Sequence, residues 1–99
     1  MAVTTADRTI TLTAEGDRID NSIAILSIHW VGATTAGHLL EISQSSALVG
    51  SPGVIYQDEA AGANYVGRAH IDAFYPGGLE ITDLDSGVVQ VVIGRGTSV

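Results

Sequence analysis

Apolar and polar side chains alternate with a period of two along much of this chain, and glycine, asparagine, aspartate and proline interrupt the alternation at short intervals. A period of two belongs to half-buried strands, whose successive side chains point to opposite faces. In RTITLTA, 8–14, Ile10 and Leu12 face one way and three threonines the other. The longest apolar run is SIAILSIHWV, 22–31. Alternation groups Ala24, Leu26, Ile28 and Trp30 on one of its faces and Ile23, Ile25, Ser27, His29 and Val31 on the other. Both faces begin apolar, as expected of a central strand covered on both sides. Its isoleucines and the glycine that follows at position 32 favour strand over helix.

Five more strands follow: HLLEIS (38–43), VIYQDEA (54–60), RAHIDAF (68–74), LEITDL (79–84) and VVQVVI (88–93). EGDRIDN (15–21), QSSALVGSPG (44–53) and YPGG (75–78) are turn-rich breaks, and AGANYVG (61–67) reads as a loop or a single helical turn. GATTAG, 32–37, reads as the loop of a hairpin whose returning strand is 38–43. DSG, 85–87, reads as the bulged turn of a second hairpin, the clearest in the chain. Seven short strands without a convincing helix predict an all-β fold, a small antiparallel β-sandwich or barrel of the jelly-roll or Ig-like kind. The expected organisation is an N-terminal arm at 1–8, one β domain at 9–95 and a short tail at 96–99. Leu26, Ile28, Trp30, Ile81 and Val91 are the expected core.

Length and charge narrow the possibilities. Ninety-nine residues accommodate one domain, and a hydrophobic content of 45% supports a packed core. Eleven acidic residues stand against four arginines and no lysine, a net charge of −7. Nucleic acid and anionic membranes are poor partners for such a surface, since both are bound through Lys and Arg. The chain has no cysteine, so neither disulfides nor thiolate metal sites are available. A start in MAVTTADRT, with no basic or apolar block, predicts synthesis in the cytoplasm without a signal peptide.

Candidate chemistry centres on HWVGATTAGHLLEI, 29–42. If Val31 lay opposite His38, His29 and His38 would be diagonal neighbours about 7–8 Å apart at the backbone, near enough to share a metal. His70 could add a third ligand, but no spacing rule places it there, and zinc needs three or four protein ligands. The expectation is therefore no metal and no cofactor. Asp58, Glu59, Glu80, Asp83 and Asp85 raise calcium or paired carboxylates, yet DLDSG lacks the spaced oxygens of a calcium loop, and Asp85 suits turn formation. No nucleophile elbow or phosphate-cradling glycine motif occurs, so no catalytic residue is expected. Tyr56, Tyr65, Phe74 and Tyr75, with Arg8 on the arm, are the candidate interface residues, while Trp30 falls in register with core positions.

Three blocks, TITLTAEGDRIDN, IHWVGATTAGHLLEIS and GGLEITDLDSGVVQVVIG, together with VIYQDEA, resemble a family of short structural proteins of tailed bacteriophages. The resemblance covers most of the chain, and its motifs are structural rather than catalytic. It implies a virion component on the capsid surface, most concretely a decoration (cement) protein. Its implied partners are the major capsid protein and further copies of itself, a trimer by analogy with decoration proteins on local threefold axes. A tail, neck or fibre module is the neighbouring alternative. A carbohydrate-binding sandwich is the alternative from another class, and it requires solvent-exposed aromatics in a row. Removing residues 1–8 is expected to weaken shell attachment and leave the domain folded.

Overall fold

The structure is a computed structural model that describes residues 3–6, 8–45 and 53–94. It contains nine strands: β1 (Val3–Ala6), β2 (Thr9–Leu12), β3 (Arg18–Ile19), β4 (Ile23–Ala33), β5 (Leu39–Ser43), β6 (Val54–Glu59), β7 (Tyr65–Tyr75), β8 (Leu79–Leu84) and β9 (Val88–Ile93). They form an antiparallel β-sandwich. One sheet, A, has the order β1-β2-β9-β4-β7; the other, B, has the order β3-β8-β5-β6. The seven expected strands are all present. The additions are β3, a two-residue strand inside the 15–21 break, β1, which pairs Val3–Ala6 with β2 inside the segment read as an arm, and the start of β7, where residues 65–67 are strand rather than loop or helical turn. The tail at 96–99 lies outside the described residues.

Both expected hairpins are something else. β4 pairs with β7 and β9 and lies in sheet A, whereas β5 pairs with β6 and β8 in sheet B. The GATTAG loop therefore carries the chain from one sheet to the other. The DSG turn does the same between β8 in sheet B and β9 in sheet A. Val31 consequently lies opposite Val66 and Val88, not opposite His38. The alternation within each strand is the same whether its neighbour in sequence lies beside it or across the core, so pattern could not distinguish the two.

A second correction concerns Leu26. The pairing of β4 shifts between Ile25 and Ser27 against both of its neighbours. An extra residue in a strand reverses which face its later side chains occupy. Ile23 and Ile25 therefore share the buried face with Ile28 and Trp30, all at 0% exposure, and Leu26 leaves the core. It turns toward Gly94 and lines a shallow groove with Ala24 and Phe74. Ile28, Trp30, Ile81 and Val91 are fully buried, packed with Ile10, Leu12, Leu40, Ile42, Leu79 and Val89 between the sheets. Each such aliphatic side chain contributes about 1.5–3 kcal/mol by leaving water.

Candidate functional site

The two crossing loops lie side by side and are tied together. Trp30 sends its Nε1–H to the carbonyl oxygen of Ser86 at 2.8 Å, which satisfies the polar end of a fully buried indole. The Ser86 hydroxyl oxygen accepts the Thr34 amide at 3.0 Å and lies 2.7 Å from Nδ1 of His38. Asp85 accepts the Leu39 amide at 2.9 Å, and its own amide donates to the Leu39 carbonyl. Asp85 thus makes the expected carboxylate-to-amide bond, with a partner 46 residues away rather than in its own turn. Gly87 is demanded by the crossing. Its φ is +79°, and a Cβ there would stand 2.5 Å from the Val31 carbonyl. A serine against a histidine nitrogen is half of a nucleophile–base pair. Here, however, Ser86 also holds the Thr34 amide, and the arrangement stitches two loops. Sequence reasoning missed it because its members are 48 and 52 positions apart.

A second tie joins β6 of sheet B to β7 of sheet A. The Tyr56 hydroxyl donates to Asp58 at 3.0 Å, and the Tyr65 hydroxyl approaches both oxygens of the same carboxylate at 3.1 Å. Burial, followed by the Asp58 carboxylate, pushes the Tyr56 phenol up to about 12. Tyr65 is also raised, in its case first by the hydrogen bond to Asp58. Gly67 makes room for the carboxylate, since a Cβ at that position would meet its oxygen at 2.0 Å. Tyr65 packs edge-on against Trp30, with ring centroids 5.7 Å apart. The candidate interface residues Tyr56 and Tyr65 are therefore half-buried and engaged in joining the sheets. Tyr75 packs against the core, and Phe74 (54% exposed) and Arg8 reach solvent.

The outer faces of the sheets differ in chemistry. On sheet B, Glu41 accepts from Gln57 at 2.6 Å and from Thr82 at 2.9 Å; these bonds, Gln57 first, hold its carboxyl below the usual value. Asp83 lies opposite Glu41 in the β5–β8 register. Its carboxyl is raised, by burial first and then by the neighbouring Asp85 and Glu15 carboxylates. Leu39, Glu41, Gln57, Asp58, Glu59 and Asp83 line an acidic groove of about 270 Å³. Sheet A presents cross-strand rows instead: Val66–Val31–Val88, then Arg68–His29–Gln90, then His70–Ser27–Val92. Val31 (36%) and Val66 (48%) are solvent-exposed.

The histidines do not converge as the loop reading required. His29 and His70 are diagonal neighbours on the outer face of sheet A, and His38 sits in the crossing loop against Ser86. Among the described residues no group of three or more His, Asp or Glu side chains is placed to hold a metal. Nor do the aromatics form an exposed row: Trp30 is buried and the Tyr56 and Tyr65 hydroxyls face Asp58. No family model matches the chain, and no curated protein matches it.

Proposed function

We propose that this chain is a non-enzymatic structural protein of a tailed-bacteriophage virion, and specifically a capsid decoration protein that binds the outer shell and stabilises the head. The observation that carries the reading is the outer face of sheet A. There Val66 of β7 and Val31 of β4 stand exposed, with Val88 of β9 half-buried in the same row, beside Arg68 and His29, and no layer of this chain covers them among the described residues. An apolar patch rimmed by polar side chains is a protein-docking surface by its chemistry. Behind it, the two inter-sheet ties make the sandwich a rigid body. A cement protein works in many copies, so a modest apolar contact per copy sums to a large stabilisation of the shell. The acidic outer face of sheet B then points away from the shell and keeps decorated particles apart by charge repulsion.

The test is co-sedimentation of the purified protein with shells of a candidate major capsid protein. The wild-type chain is expected to pellet with shells at high copy number. Val31→Asp, on the exposed row, is expected to abolish binding without unfolding the domain, whereas Glu41→Gln on the opposite face leaves it intact. A soluble protein that ignores the shells, or one whose binding depends on Glu41 and not on Val31, refutes the reading.

A further inference from the structure

We infer that β7 is a self-pairing edge, through which two copies of this chain join their A sheets into one continuous ten-stranded sheet. β7 is eleven residues long, ends sheet A, and pairs only with β4 among the described residues. Its other side carries a row of backbone donors and acceptors. Long edges are ordinarily blunted by charged side chains, lysine above all, by proline, by bulges or by a cover. YVGRAHIDAFY contains neither lysine nor proline, and it holds three of the candidate interface residues, Tyr65, Phe74 and Tyr75.

The occupant follows from the order of side chains along the strand. Two β7 strands placed antiparallel about a twofold axis at His70 set Arg68 of each copy opposite Asp72 of the other. The same register sets Val66 opposite Phe74, and His70 opposite itself. Arg68, His70, Asp72, Val66 and Phe74 are all exposed, so these partners meet on the outer face. On the inner face Ala69 meets Ile71 and Tyr65 meets Tyr75. Every charged residue of the strand thus finds its opposite, and the largest exposed apolar side chain finds an exposed valine. Opposite charges and apolar side chains facing one another are the favourable cross-strand pairs.

Asp72 has a left-handed φ of +49°, at the point where the β4–β7 register shifts. Such a bulge increases local twist and interrupts the ladder, and by symmetry it falls on either side of the central pairs, so the junction is held by the Arg68–Asp72 and Val66–Phe74 side-chain pairs as well as by backbone bonds. Because the contact is isologous it closes at two copies rather than three. This replaces the trimer implied by the resemblance and does not depend on what the outer face of sheet A binds.

The absence of cysteine makes a direct test possible. In a His70→Cys variant the two thiols lie opposite one another across the axis, within disulfide reach. Under mild oxidation this variant is expected to cross-link to a covalent dimer much faster than Thr82→Cys, which places the thiol on the outer face of sheet B. Light scattering of the unmodified protein is expected to give the mass of two 10.2 kDa chains. Arg68→Glu turns both charge pairs into like-charge pairs and is expected to weaken association about tenfold. A monomer at all soluble concentrations overturns the inference. So does an oligomer that neither cross-links preferentially through position 70 nor responds to Arg68→Glu.

Discussion

Two ties hold the sheets of this sandwich to each other, and they are built differently. At the crossing loops most bonds join a side chain to a backbone group: the Ser86 carbonyl accepts from the Trp30 indole, and the Asp85 carboxylate accepts from the Leu39 amide. At the β6–β7 flank the partners are side chains only, two phenols on one carboxylate, fitted into the space left by Gly67. The first tie is anchored by a fully buried tryptophan and is part of the core. The second sits at a sheet margin beside the β7 edge, where the phenols are half-buried and titratable. A fold can thus be closed at one end by packing and at another by protonation-dependent hydrogen bonds.

The comparison breaks most visibly at Trp30. Trp30→Ala removes the largest core side chain together with its bond to Ser86, and a loss of about 3–5 kcal/mol is expected in denaturant unfolding. Next comes Gly67→Ala. The new methyl group displaces the Asp58 carboxylate and both phenol bonds, for an expected cost of about 2 kcal/mol. If Gly67→Ala proves neutral, the flank contributes no cohesion and the contrast fails. Ser86→Ala keeps the carbonyl that receives Trp30 and loses only the hydroxyl contacts to Thr34 and His38, so it is expected to cost about 1 kcal/mol in the same assay.

A pH titration sharpens the contrast without mutation. Tyr56 has its folded-state pKa raised from 10.0 to about 12. The folded state holds this proton more tightly than the unfolded chain, so the associated stability is complete below the ordinary tyrosine range. It is lost as pH rises from there through about 12. Melting temperature is expected to fall across that window, and tyrosinate absorbance to lag behind that of free tyrosine. Asp58→Asn is the smallest perturbation. It is expected to lower both phenols and to leave Tyr56 still raised by burial, its leading cause. Tyr56 returning to its ordinary value would mean that the carboxylate alone governs it.

Much of the candidate site was beyond pattern reading for one physical reason. The outward residues of β7, Arg68, His70 and Phe74, are legible from alternation alone, but what lies next to them is not. The contact between His38 and Ser86 closes over 48 residues, and the one between Leu39 and Asp85 over 46. Nothing local in sequence signals such a meeting. Gly67 and Gly87 carried a usable hint, since a glycine inside or beside a strand marks a close approach. Only the fold names what approaches: the Asp58 carboxylate in one case, the Val31 carbonyl in the other.

Local steric and hydrophobic preferences determined by themselves that this chain is a single run of short strands. They also placed Ile28, Trp30, Ile81 and Val91 inside, because strand formation and the period-two choice of a buried face act within a few residues. Tertiary structure decided the rest. It turned two apparent hairpins into sheet crossings, since a strand buries the same face whether its neighbour lies beside it or across the core. It inserted the shift at Leu26 that gathers Ile23 and Ile25 with Ile28 and Trp30, because the best filling of the space between two sheets is a property of all the strands together.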